Sequence, residues 1–127
     1  MGIKKGLFQW SLALIAVIFQ FTAQLITAGL VMDITKSFHA SASQAGLMLS
    51  SYYILYALMQ VPAGAVVSRL GYKKTFILGH ICFALSSLIL IYASNLYIAF
   101  LGRILMGLSL GCHYVAFAKA TDQNLPA

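Results

Sequence analysis

Apolar residues fill four long stretches of this chain, each set off by a short polar or basic interruption. The stretches run from about Leu7 to Met32, Ala42 to Val67, Thr75 to Ala93 and Leu96 to Ala118. A helix needs about 20 mainly apolar residues to cross roughly 30 Å of hydrocarbon, so each is long enough, and the first two should tilt or protrude. Hydrocarbon offers backbone groups no hydrogen-bond partner, which makes helices the only plausible form for such runs. The pattern predicts an all-α polytopic membrane protein with four transmembrane helices. The first stretch follows Lys4 and Lys5, as a secretory signal would. It is too long for a signal core and shows no clear small-x-small cleavage site, so it reads as an uncleaved first helix.

Composition changes this picture little. Hydrophobic residues make up 61% of the chain and charged residues 8%, with mean hydropathy +0.91. A soluble domain carries about 25% charged residues, so water is not the solvent for most of this surface. The net charge of +6 could suggest nucleic acid, but the basic residues punctuate apolar spans instead of forming one face. That excludes nucleic acid as a partner and leaves the lipid bilayer.

The same basic residues orient the chain. If the spans alternate, Lys4, Lys5, Arg69, Lys73, Lys74 and Lys119 share one side, Lys36 lies near Asp33 on the other, and Arg103 falls within the fourth span. By the positive-inside rule both termini and the Gly64–Lys74 segment are cytoplasmic, while 33–41 and 94–95 face outward. The expected location is the plasma (inner) membrane, crossed several times. Cys82 and Cys112 sit within spans without disulfide or metal-ligand spacing and read as small packing residues.

Local chemistry supports the boundaries. Ser41 and Gln44 have capping-box spacing at the start of the second helix. Gly71 suits a left-handed residue ending that helix. Gly107 and Gly111 form a G-x-x-x-G pair for close helix packing, and Gly46 with Ser50 forms a weaker small pair.

Polar residues within spans are costly unless they meet a partner or a watery cavity. Gln20, Gln24 and Thr27 recur at i, i+4 and i+7, on one face of the first helix; Tyr52, Tyr56 and Gln60 recur similarly in the second. A polar lining for a substrate path and interhelical hydrogen bonding both fit the first stripe, and packing is favoured for the tyrosines. Gln9, Trp10, Tyr92 and Tyr97 fall near span ends, where interfacial anchors sit. Arg103 lies about seven residues into the fourth span. It either faces inward or snorkels outward, since helical side chains lean toward the N-terminus. His80 and His113 read as satisfied polar residues near helix ends, because no span offers them a carboxylate. No carboxylate pair, metal cluster or activated nucleophile is visible, so neither an enzyme nor a cofactor is implied.

The segment from Gly64 to Lys74, GAVVSRLGYKK, reads as a tight basic hairpin between two spans. It resembles the G-x-x-x-D-R-x-G-R/K-R/K loop between the second and third helices of the major facilitator superfamily of transporters. Gly64, Arg69, Gly71, Lys73 and Lys74 match, and Ser68 replaces the usual aspartate. Ser51 to Gly64 is similar to the family's second helix, and Asn95 to Arg103 to the start of its fourth. Arg103 with Gly107 resembles the fourth-helix pattern R-x-x-x-G-x-G, although Met106 and Ser109 replace the glutamine and glycine often seen there, which puts antiport in doubt.

The resemblance implies the first four helices of a six-helix half, with a central cavity between halves. It further implies transport of a small-molecule substrate by alternating access, with or without a coupled proton or other ion. The substrate-cavity candidates are Gln20, Gln24, Thr27, Tyr56, Gln60 and Arg103. Gly64, Ser68, Arg69, Gly71, Lys73 and Lys74 would form the cytoplasmic gating loop. On this expectation the chain is an incomplete transporter whose partners are the missing helices. A non-transporting membrane subunit or inactive remnant is the alternative. Small four-helix dimeric drug antiporters are disfavoured by the absence of any glutamate.

Overall fold

The computed structural model describes residues 2–125. Four helices follow one another: α1 (Gly2–Ser37), α2 (Ala42–Leu70), α3 (Tyr72–Ile91) and α4 (Leu96–Asn124), with no strand among the described residues. All four are long and apolar enough to cross a membrane. Each apolar stretch sits inside a longer helix, except that α3 stops at Ile91 and leaves Tyr92 and Ala93 outside it. Hydropathy marks only the part of a helix that meets lipid. The backbone ladder carries on beyond it: α1 is 36 residues long, about 54 Å at 1.5 Å per residue, well past a hydrocarbon thickness of roughly 30 Å.

Helix ends follow local rules. Ser41 Oγ accepts from the Gln44 N–H at 3.2 Å, and the Ser41 N–H donates to Gln44 Oε1 at 2.9 Å, closing the expected capping box. Asn95 caps α4 in the same way, accepting from the Ile98 N–H at 3.0 Å. The basic hairpin is shorter than its sequence suggests. Helix α2 continues through Gly64, Ser68 and Arg69 to Leu70, and α3 already contains Lys73 and Lys74, so Gly71 alone breaks the ladder. Its φ of 81° is positive as expected, but its ψ of 158° is extended, not left-handed helical. Only glycine occupies that region without strain.

Helix α4 is the centre of the bundle. Half of its apolar stretch is buried, against 11–22% for the other three helices. It packs against α1, α2 and α3, while α1 and α3 flank it without packing closely on each other. Close approach requires glycine here. A Cβ on Gly107 would come within 2.4 Å of the Tyr52 carbonyl oxygen, and one on Gly111 within 2.7 Å of Met59 Cβ. Gly46 behaves otherwise: a Cβ there would meet nothing within 4 Å, so the weaker small pair of α2 is not a packing seam among the described residues.

Two apolar clusters hold the bundle: Val31, Met48 and Ala99 toward one end, and Tyr52, Met106 and Leu110 nearer the middle. Large apolar side chains such as Phe8, Ile15, Phe19, Val61 and Ile91 point outward. Lipid or further apolar helices must cover such a surface. The end of the bundle opposite Val31 joins α1, α3 and α4 through polar contacts. Trp10 Nε1 donates to Thr121 Oγ1 at 3.0 Å, Tyr72 donates to Gln9 Oε1 at 3.4 Å, and Asn124 Nδ2 donates to the Tyr72 hydroxyl at 3.3 Å. Lys4, Lys5, Arg69, Lys73, Lys74 and Lys119 all lie at this end.

Candidate functional site

The polar residues of α1, α2 and α4 converge on the middle of the bundle. Gln20 is buried and donates through Nε2 to Ser109 Oγ at 3.3 Å, and Ser109 passes its own hydrogen to the Met106 carbonyl at 2.8 Å. The other side-chain atom of Gln20, Oε1, is buried without a partner. One turn on, Gln24 is also buried and donates to the Tyr53 hydroxyl at 3.3 Å. Thr27 is different. It is half-buried and returns its hydroxyl to the Ala23 carbonyl at 2.8 Å, within its own helix.

Arg103 lies at the heart of this region. Its side chain is fully buried, so it does not reach for the membrane surface. The guanidinium Cζ stands 4.8 Å from the centre of the Tyr52 ring, a cation–π contact. Nη1 lies 3.8 Å from Met106 Sδ, a weak acceptor, and Nε and Nη2 have no partner. The Tyr52 hydroxyl is likewise buried and unpaired. Tyr56 is half-buried, edge-on to Tyr114 of α4 with ring centres 6.3 Å apart, and Gln60 is half-buried one turn further. Tyr52 thus does more than pack: it supplies the ring beneath the arginine.

Sequence spacing missed two partners. Tyr53 and Ser109 each receive a glutamine donor from α1, yet neither falls on a polar stripe of its own helix. Only the crossing of helices selects them.

The residues of the family motif assemble the α2–α3 elbow. Arg69, Lys73 and Lys74 are exposed, and Ser68 is exposed with its hydroxyl bonded to the Gly64 carbonyl at 2.9 Å. No side chain caps the first turn of α3. Lys119 is paired with Asp122 at 3.1 Å on the surface of α4.

His80 and His113 depart from expectation. They are not isolated near helix ends: His80 Nδ1 and His113 Nε2 are in direct contact across the α3–α4 seam. Cys82 and Cys112 are free and half-buried. No group of three or more metal-ligating side chains occurs among the described residues.

Long apolar helices around a buried polar centre define a multi-pass membrane protein. The sequence profile of the Major Facilitator Superfamily matches residues 12–126, and the chain belongs to that family. It is similar to an uncharacterised transporter, YybO, of Bacillus subtilis (strain 168): 30% identical over 93 residues, covering 73% of this chain and 21% of that protein. The chain therefore spans about a fifth of the length of this curated relative. No solved structure matches it.

Proposed function

We propose that these four helices form part of the solute path of a secondary transporter, and that Arg103 receives an anionic group of the solute. Family membership and a relative named as a transporter support transport. The small share of that relative covered supports further helices of the same protein as partners, with alternating access between two halves. One observation carries the anion: Arg103 is fully buried with Nε and Nη2 unpaired. The only acids of the chain, Asp33 and Asp122, lie near the ends of α1 and α4. A buried guanidinium needs a counter-charge, and its planar fork is suited to carboxylate or phosphate.

In this reading Gln20, Gln24, Tyr56 and Gln60 offer neutral hydrogen-bonding groups along the path, and Thr27 contributes bulk. The α2–α3 elbow gates the cytoplasmic side. The test is saturable counterflow by the whole transporter in proteoliposomes, with lactate, succinate, glutamate and glucose as probes. At least one anion should exchange while glucose does not. Exchange of glucose alone, or of no probe carrying a carboxylate, overturns the anion assignment.

We also propose that the basic end of the bundle is cytoplasmic, in the plasma membrane. The ground is the basic asymmetry, six residues against one. With Cys82 and Cys112 removed, Ala40→Cys is expected to react with an impermeant thiol reagent applied to intact cells, and Ser68→Cys is not. Labelling of position 68 from outside would reverse the orientation.

A further inference from the structure

Three of the buried polar atoms without a partner gather on one pair of side chains: the Tyr52 hydroxyl, and Nε and Nη2 of Arg103. Both residues are enclosed, Tyr52 at 1% and Arg103 at 0% exposure. Nε and Nη2 share one edge of the planar guanidinium, while Nη1 is the nitrogen turned toward Met106 Sδ. The guanidinium carries no acceptor, so the phenol hydrogen has no taker there. Tyr52 cannot swing away to find one. The Tyr53 ring stands edge-on to it at 5.1 Å and 88°, and Met106 and Leu110 share its apolar cluster. Gly107 of α4 sits close against its backbone carbonyl. The bundle thus fixes three open donors in its interior.

We propose that the anionic group of the solute is a carboxylate, and that the Tyr52 hydroxyl binds it together with Nε and Nη2 of Arg103. This rests on Arg103 receiving an anionic solute, and adds the chemical group and a second residue that touches it. The two N–H groups on one guanidinium edge are parallel, which matches the two coplanar oxygens of a carboxylate. Those oxygens offer about four lone-pair sites, so the group can accept a third bond beside the fork. The third donor is in place. Arg103 Cζ stands 4.8 Å from the Tyr52 ring centre, and the hydroxyl sits on the rim of that same ring. The gap between them is about two hydrogen-bond lengths, which one carboxylate oxygen bridges.

Charge separates carboxylate from phosphate. One carboxylate neutralises one guanidinium. A phosphate group carries about −1.5 to −2 at neutral pH and would need a second cation beside the first. The bundle holds none there. Lys4, Lys5, Lys36, Arg69, Lys73 and Lys74 lie near helix ends, and Lys119 is paired with Asp122. Besides Tyr52, the polar side chains nearest along α1 and α4 are Gln20 and Ser109, both neutral and bonded to each other.

The experiment is counterflow by the whole transporter in proteoliposomes, with lactate, succinate and glutamate as carboxylate probes and inorganic phosphate as competitor. For the carboxylate that the parent exchanges, Tyr52→Phe should raise the apparent KM roughly tenfold to a hundredfold, as loss of a hydrogen bond to a charged group does. Maximal rate and melting midpoint should hold, because the phenyl ring still underlies Arg103 and the lost hydroxyl had no protein partner. Phosphate in excess should not compete. An unchanged KM overturns the role of Tyr52, and so does a KM rise accompanied by a lower melting midpoint, which makes the hydroxyl structural. Competition by phosphate overturns the carboxylate. In each of those cases carboxylate exchange by the parent leaves the assignment of Arg103 to an anion standing, whereas exchange of glucose alone overturns both.

Discussion

Gly107→Ala is expected to separate α2 from α4 and to cost about 3 kcal/mol, the upper end of ordinary overpacking. The added methyl would come 2.4 Å from the Tyr52 carbonyl oxygen and 3.3 Å from Leu55 Cβ. The first of these obstacles is backbone, which cannot turn aside as the end of a flexible side chain can. The damage would extend to the buried arginine, because Tyr52 also carries the ring beneath Arg103. Gly46→Ala provides the comparison. Nothing lies within 4 Å of that site, and replacing glycine by alanine inside a helix stabilises it by roughly 0.5–1 kcal/mol. Opposite signs for the same chemical change would be read from melting midpoints of the two variants and from the monodisperse fraction recovered from membranes. Equal stability of the two variants would show that the α2–α4 seam has slack that the interatomic distances do not suggest.

The second large effect is expected at Arg103. Lysine keeps the charge but not the planar set of donors, so Arg103→Lys in the whole transporter should insert normally. Hydrogen bonds to charged groups are worth about 1.5–3 kcal/mol, so its apparent solute affinity should fall roughly tenfold to a hundredfold. Arg103→Met goes further. It fills a similar volume without a charge, and the desolvation cost of a buried charge that lacks a counter-charge is removed with it. The methionine variant should therefore melt at the same temperature as the parent or higher, yet carry no saturable flux. Uptake per folded molecule, measured beside the melting midpoint, separates the two roles. Unchanged kinetics in both variants would leave Arg103 a structural residue stacked on Tyr52.

These variants probe features of differing legibility. Four membrane helices could be read from hydropathy alone, because a lipid solvent demands long apolar runs whatever the neighbours are. The Ser41–Gln44 box was equally legible, since a cap is made by residues three apart on one chain. So was the need for a special residue at Gly71, although its extended ψ depends on how α2 and α3 leave the elbow. The G-x-x-x-G pair of α4 announced close packing correctly, while Gly46 and Ser50, with comparable spacing, meet no other helix among the described residues. Spacing shows that a helix offers a small face; it does not show whether another helix comes to meet it.

The candidate site divides along the same line. That Gln20, Gln24 and Arg103 are costly in a membrane, and so should be buried among partners, follows from their chemistry and position in the chain. Which partners they find does not. Ser109 for Gln20, Tyr53 for Gln24, the Tyr52 ring for Arg103 and His80 for His113 are separated by 89, 29, 51 and 33 residues and meet only where helices cross. Period and hydropathy describe one helix at a time. The choice of partner depends on crossing geometry and on the glycines that let α4 come close, and this is why the sequence determined the spans and their caps while the tertiary structure decided which polar groups are paired and which remain open.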